Sequence, residues 1–383
     1  MNVQSVRSGS TADVVIVGGG VIGLTIAREL ALRGVRNVAL IERARPGAEA
    51  SSAAAGILGP QVEADHPDEF FRLACASRDM YKEFADALRE ETGIDVELDA
   101  TGTLYLGFTA EDEEQLQRRY QWQVSEGLRV EWLTGNDARR LEPEISENVR
   151  CALRFPRDFQ VENRRLIAAL ANANEKMGVR LVTDCNVNAL RIECEKVCGV
   201  ETSLGFVGSP TIVVAAGAWS SFIGSALPPI RIEPVRGQML CFEPQPQIAR
   251  HVLYSSRGYL VPRRDGRLLA GSTSEHVGFD KSVTDEGASA IRSMAVEIAS
   301  ALEHMPLIDS WAGFRPRAKD DLPVLGRSEN VEGLFYATGH YRNGILLAPI
   351  TGRVIAEAIV NGAASPSLTA FSPHRFRTLA AAS

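Results

Sequence analysis

Gly18, Gly20 and Gly23 stand at G-x-G-x-x-G spacing, directly after the apolar run Asp13 to Val17 and at the head of a helically periodic stretch, Val21 to Arg33. This placement suits a phosphate. The first glycine permits a tight turn, the second lets main chain approach a pyrophosphate, and the third lets helix and strand pack closely. The helix N-terminus, with the amides of Val21 and Ile22, adds partial positive charge. Glu42 closes the next apolar run, Val38 to Ile41, where a carboxylate can accept bonds from both ribose hydroxyls of an adenosine and repels a 2′-phosphate. The fingerprint serves FAD and NAD alike and disfavours NADP.

Three further stretches favour the flavin. Ser51-Ser52-Ala53-Ala54-Ala55-Gly56 offers small side chains and hydroxyls where a chain continuing past the pyrophosphate needs them. Thr211 to Ser220 reads as a buried strand ending in Ala216-Gly217, with Trp219 just beyond, and brings main chain close to the cofactor. Gly339 to Leu347 (GHYRNGILL) leads into a last helix whose N-terminus would face the pyrimidine end of an isoalloxazine and stabilise the anion formed there on reduction.

The elements that must hold these groups are legible in outline. Asp13 to Val17 and Val38 to Ile41 read as buried parallel strands flanking a helix that Gly34 ends. Asp68 to Glu91 reads as a long amphipathic helix stopped by Gly93, and Arg164 to Met177 as another. Arg180 to Val182, Thr211 to Ala215 and Gly333 to Ala337 add strands, and a closing helix is expected from about Leu347 to Val360. Interleaved with this α/β material is β-rich sequence: Leu104 to Phe108, Val130 to Leu133 and Cys151 to Phe155 around a charged helix Glu111 to Glu126, then Gln238 to Phe242, Tyr259 to Pro262 and Leu268 to Gly271 with turns such as Asp265-Gly266.

The predicted fold is therefore α/β. A Rossmann-like FAD-binding domain is assembled from 13–92, 156–226 and 322–365, and an inserted α+β substrate domain on a mixed or antiparallel sheet comes from 93–155 and 227–321. A polar tail (1–12) and a C-terminal tail (366–383) flank them.

Composition narrows the function classes. A 383-residue chain with 45% hydrophobic and 23% charged residues is an ordinary folded protein with room for a large core. Its net charge of −7, without a basic stripe, argues against nucleic acid. The six cysteines are too sparse and irregular for a disulfide framework, and Cys194 and Cys198 lack the partners of a metal site, so reduced thiols, no metal and a cytoplasmic location are expected. Val14 to Ala27 has the length of a signal h-region but contains four glycines and runs into Arg28 and Glu29; no membrane span is expected.

The blocks SSAAAG (51–56), VVAAGAWS (213–220), GYLVPR (258–263), WAGFRP (311–316) and GHYRNGILLAPITG (339–352) resemble the D-amino-acid oxidase superfamily of flavoproteins, and within it the glycine oxidase family of the thiamine pathway, from about Asp13 to Ala358. The resemblance implies a non-covalent FAD over which a small amine acid is stacked, hydride passing from its α-carbon to flavin N5. The imine is then hydrolysed or passed on, with thiazole synthase as the acceptor, and dioxygen reoxidises the flavin to give peroxide. An arginine matching Arg315 pairs with the substrate carboxylate, a tyrosine matching Tyr259 bonds the same group, and an arginine matching Arg342 lies beside the amine. Arg43, Val187, Gly339, His340, Asn343, Gly344, Ile345 and Leu346 join the cofactor-binding set.

The chemistry is consistent with those roles. Hydride transfer needs no base at carbon if the amine arrives neutral, so orienting groups suffice, and a planar guanidinium holds a carboxylate with two parallel bonds. Two departures from the pattern, Ser274 and Ile57 in place of methionines, are expected to change pocket volume and polarity. Glycine, sarcosine and a small D-amino acid stay open as substrates, as do a quinone-type electron acceptor and, outside enzymes, a flavin-binding scaffold. The resemblance further implies a homo-oligomer.

Overall fold

A computed structural model of the chain describes residues 10–223, 230–243, 248–362 and 366–376. Most of the expected polar tail and the end of the C-terminal tail lie outside the described residues. Val14–Val17, Val38–Ile41 and Ile212–Val214 are short, wholly buried aliphatic runs, the composition required of strands covered on both faces. They form the centre of a six-stranded sheet ordered Val324–Arg327, Leu334–Thr338, Ile212–Val214, Val14–Val17, Val38–Ile41, Arg180–Val182. All neighbours are parallel except the antiparallel edge pair of Val324–Arg327 with Leu334–Thr338. Val14–Val17 is flanked on one side by the next strand, Val38–Ile41, reached through the first helix, and on the other by the distant Ile212–Val214, so the strand order reverses there and a crevice opens at the carboxyl ends.

One face of this sheet is covered by four helices, Val21–Leu32, Glu69–Thr92, Asn163–Lys176 and Gly344–Asn361, which share a core with Ile16, Leu24, Tyr81, Leu170, Leu347 and Ile355. The opposite face packs Val15, Val17 and Ile41 against Val197, Val200 and Val207 of a small four-stranded sheet. That sheet (Val187–Glu193, Lys196–Thr202 and Gly205–Gly208) was not anticipated, because its outward residues are polar and its apolar positions few. It corrects the N-terminal boundary as well: Ser10–Thr11 pairs with Gly205–Gly208 as a strand and Ala12 is buried, so the tail ends before residue 10.

The last helix begins at Gly344, three residues before the expected Leu347, and carries Pro349 inside it. A proline lacks the N–H that would bond the carbonyl four residues back and disturbs its neighbours. Here the Tyr81 hydroxyl donates to the Ile345 carbonyl and the Ser77 hydroxyl to Leu346 O (2.7 Å), so the long helix Glu69–Thr92 satisfies the acceptors that the proline strands. Gly344–Asn361 is long and apolar enough to cross a membrane, but it is covered by the other helices and reads as a core helix.

The second sheet has eight strands, ordered Leu307–Ala318, Ile232–Phe242, Leu268–Gly271, Gly258–Pro262, Val252–Ser255, Thr103–Gly107, Cys151–Phe155, Glu131–Thr134. It is mixed, with Val252–Ser255 parallel to Thr103–Gly107 and the rest antiparallel. The helix Asp285–Ile298 buries Ile291, Met294 and Ile298 against it. Ile232–Phe242 starts six residues before the expected strand, because its first half carries Glu233, Pro234, Arg236 and Gly237 and looks like a loop; pairing with Leu307–Ala318 from Ile232↔Ala318 to Phe242↔Leu307 sustains it. All six cysteines are free.

Candidate active site

The glycine loop is built as a cradle. Gly18 has φ +110°, a conformation side chains avoid, and a Cβ there would overlap the Ala215 carbonyl, while one on Gly23 would overlap the Gly18 carbonyl. Gly20 caps the first helix without any side-chain acceptor, so its amides face outward, and Val21 N donates to Ser51 Oγ (3.0 Å). Glu42 accepts from Gly19 N (2.7 Å) through one oxygen and from Ala44 N (2.9 Å) through the other, fixing the carboxylate with lone pairs to spare for hydroxyls.

From this loop a cavity of ≈ 490 Å³ extends between the two sheets. Its walls bring together Gly18, Gly20, Val21, Ile22, Glu42, Arg43, Ser51, Ala54, Ala55, Gly56, Val187, Ala216, Gly217 and Trp219 at one end. Tyr259, Arg315, His340, Arg342, Asn343, Gly344 and Ile345 lie at the other. Four residues expected on the wall are not there. Gly23 is consumed in packing helix against loop, Ser52 serves through its carbonyl as an acceptor for Asn163, Gly339 (φ +72°) packs on Ile232 and Ala318, and Leu346 points into the helical core.

An elongated, dinucleotide-sized ligand fits this surface on three observations. The cradle is one that any Cβ would fill, the donors at Gly20 to Ile22 have no acceptor among the described residues beyond Ser51, and the helix at Gly344 starts with Asn343 making no side-chain cap, leaving its first amides directed at the cavity. His340 is fully buried; its Nε2 lies 3.1 Å from Thr351 Oγ1, and burial pushes its pKa down to about 3, so the ring is neutral.

At the far end the long paired strands position Arg315. Its guanidinium lies over Gly237, where a Cβ would overlap it, and donates to Thr273 O (3.0 Å) and Ser272 Oγ (2.5 Å). Tyr259, paired across the sheet with Gly271, directs its hydroxyl to the same Ser272 Oγ (3.3 Å) and lies beside Met239. Arg315, Ser272 and Tyr259 thus converge on one small volume with planar N–H donors and hydroxyls, a receptor for a carboxylate.

Arg342 is held differently. Glu63 Oε1 accepts from Arg342 Nη2 (3.4 Å) and from the Tyr254 hydroxyl (2.7 Å). The Glu63 carboxylate holds the arginine above its usual range, and burial, reinforced by Glu63, raises the Tyr254 phenol well above its own. Glu63 ends the single turn Pro60–Glu63, whose first amides, Gln61 N (3.3 Å) and Val62 N (2.8 Å), donate to the buried Asp158 carboxylate. Burial pushes Asp158 up to about 7 against the opposing pull of Arg78.

Glu63, Tyr254, Ser272, Gly237 and Glu49 also line the cavity and were not expected there. Gly59-Pro60 does signal a helix start that would have led to Glu63, and Ser255 to Gly258 signals the turn that sets Tyr254 opposite Tyr259 (ring centroids 5.3 Å); the other three carry no sequence signal. Of the two departures from the methionine pattern, Ile57 lines the cavity, whereas Ser274 is exposed outside it and cannot set its volume.

Residues 13–358 match the profile of the FAD dependent oxidoreductase family, and the chain belongs to that family: it is an FAD-dependent oxidoreductase. Within it, the chain is 36% identical to a glycine oxidase of Geobacillus kaustophilus over 363 residues, covering 94% of this chain and 96% of the relative. The crystal structure of glycine oxidase from Geobacillus kaustophilus superposes with a TM-score of 0.91, covering 95% of this chain and 98% of that one. A bifunctional protein ThiO/ThiG of Synechocystis is also 36% identical, over 96% of this chain, but the chain spans only 55% of that protein's length.

Proposed function

We propose that the enzyme oxidises glycine, or an amine acid of similar size, to its imine with dioxygen as the final electron acceptor. The observation that carries the reading is the convergence of Arg315, Ser272 and Tyr259 at the end of the same cavity that starts at the Gly18 cradle. The glycine oxidase names of the relatives support it. Bound FAD supplies the acceptor for a hydride leaving the substrate's α-carbon and returns the electron pair to dioxygen as peroxide.

The chain's residues then have defined tasks. Gly18, Gly20, Val21, Ile22, Glu42, Arg43, Ser51, Ala54, Ala55, Gly56, Val187, Ala216, Gly217 and Trp219 hold the dinucleotide, and the amides at Asn343 to Ile345 bring partial positive charge to the reacting end. Arg315 clamps the substrate carboxylate, Tyr259 and Ser272 complete the clamp, and Arg342, its charge balanced by Glu63, flanks the amine. The neutral His340 orients its loop through Thr351 and is no base. Ile57, Met239 and Tyr254 narrow the space for a side chain. In this division of labour, the segments 13–92, 156–226 and 322–365 bind cofactor and 93–155 with 227–321 bind substrate.

The test is direct. Purified holoprotein mixed anaerobically with glycine is expected to bleach its flavin absorbance and, on admission of oxygen, to release one peroxide per turnover. Absence of bleaching with glycine, sarcosine and D-alanine would remove the assignment. The same reading makes thiazole synthase the consumer of the imine, in a homo-oligomeric enzyme of the cytoplasm; the joined ThiO and ThiG parts of the Synechocystis protein support the first of these. Rescue of a glycine-oxidase-deficient thiamine auxotroph and light scattering of the purified protein check the two points.

A further inference from the structure

The connection Ser272 to Thr284, between the strand Leu268–Gly271 and the helix Asp285–Ile298, has no regular structure of its own, yet it is bolted down at both ends. Near its start, Arg236 and Glu275 exchange main-chain bonds (Arg236 N to Glu275 O 2.9 Å, Glu275 N to Arg236 O 3.0 Å), and Gln238 N donates to Thr273 Oγ1 (2.9 Å). At its end, Thr284 N donates to Gln238 Oε1 (2.8 Å). The buried Arg236 guanidinium reaches Glu275, Asp280 Oδ2 (3.0 Å) and Ser282 Oγ (3.0 Å), drawing the two limbs together.

The tip between these anchors reaches the turn Gly217–Phe222 that follows Ile212–Val214, beside the strand Leu307–Ala318. There Phe279 meets three rings that line the cofactor cavity: Trp219 (centroids 5.1 Å), Phe314 (5.5 Å) and Phe222 (5.7 Å). Beside it, Lys281 Nζ donates to Glu49 Oε2 (2.7 Å), and Glu49 in turn accepts from Arg43, whose guanidinium lies 3.5 Å over the Trp219 ring. Glu49 and Arg43 are both on the cavity wall. Phe279 is 40% exposed and does not itself line the cavity, so its contacts serve the wall and not a core.

We propose that residues 275–283 form a strap that retains the non-covalent flavin nucleotide, with Phe279 as its latch and Lys281 as its clasp. Aromatic contacts of this geometry hold the three lining rings in one arrangement, and the Lys281–Glu49 pair ties the strap to the segment following the glycine cradle. Release of the cofactor then requires the latch to lift, an event slower than the motion of an unpinned loop. Phe279 is a positioning residue; it has no part in the oxidation.

The test follows release of FAD and does not depend on turnover. Holoprotein is diluted into an excess of apo-glucose oxidase, which takes up free FAD, and the rate of loss is read from the glucose oxidase activity that appears, for the parent, Phe279→Ala, Phe279→Tyr and Lys281→Ala. The proposal expects release to quicken more than threefold in Phe279→Ala, to return to within twofold of the parent in Phe279→Tyr, and to quicken more than threefold in Lys281→Ala, an exposed site whose change leaves the apoprotein's thermal midpoint unmoved. Smaller increases in both alanine variants, or an increase in Phe279→Ala that tyrosine does not reverse, overturn it. If Phe279→Ala fails to fold, the Lys281→Ala rate alone decides by the same threshold.

Discussion

Gly237 contributes to recognition by having no side chain. Its Cα forms the floor under the Arg315 guanidinium, and a methyl there would displace the far end of a flexible side chain and no backbone. Gly237→Ala is therefore expected to fold and keep its flavin while losing kcat/KM for glycine, much as Arg315→Ala does. Removing a charged hydrogen-bonding partner costs about 2–3 kcal/mol, roughly 30- to 150-fold in kcat/KM. Steady-state peroxide assays on the two variants, alongside their visible spectra, check this; a Gly237→Ala enzyme with parental kinetics would show that Arg315 works from another position. At this scale Arg315, Arg342 and Tyr259 stand out in the sequence as arginine and tyrosine in apolar runs, whereas Glu49, Glu63 and Tyr254 do not. Gly237 and Ser272 were invisible: their value lies in a cross-strand neighbour that no local pattern encodes.

Elements carry the pH response and the helix that bears the site. His340 is buried and neutral, with its pKa lowered from 6.5 to about 3. Between those values the unfolded chain binds a proton that the folded chain does not, so stability falls as pH drops from about 6.5 toward 3, by about 2 kcal/mol over the first one and a half pH units. Asp158, raised to about 7, acts in the opposite sense between about 7 and 4. In the parent the two effects largely offset each other between pH 7 and pH 5; His340→Asn leaves only the second, so its thermal midpoint should rise over that interval while the parent's changes little. Differential scanning calorimetry at the two pH values reads the difference directly. Tyr81→Phe, which strands the Ile345 carbonyl beside Pro349, should cost about 1–3 kcal/mol in urea unfolding. Most elements could be read from periodicity, yet the last helix was started too late. Its first turn, Gly344 to Leu346, lacks a capping side chain and precedes a proline, and both features read locally as loop; the partner hydroxyls that permit it come from residues 77 and 81.

For the molecule as a whole, the cavity proposed for the cofactor lies between two separately built sheets, and FAD bound there would stabilise the arrangement by linkage. Holoprotein at a free FAD concentration of 100 Kd should exceed apoprotein by about 2.7 kcal/mol, visible as a higher thermal midpoint that climbs with added FAD. A midpoint indifferent to FAD would mean that the crevice is not where the dinucleotide binds. The interleaving of the two kinds of segment could be seen in the order of α/β and β-rich stretches, whereas the small sheet over the back of the first was lost because half its residues face water.

The paired strands Ile232–Phe242 and Leu307–Ala318 begin beside the strands of the first sheet, with Ile232 and Ala318 in its core, and end in the second, with Leu240 and Phe242 in the other. Two cores joined by one long ladder, bulged only at Cys241–Phe242, resist opening like a jaw. A polar vestibule of Tyr105, Arg119, Arg257 and the Glu63–Arg342 pair adjoins the substrate end of the cavity, and under the proposed function amine would enter and imine leave there by swings of single side chains. Turnover in such an enzyme should depend on the length of those side chains and little on solvent viscosity.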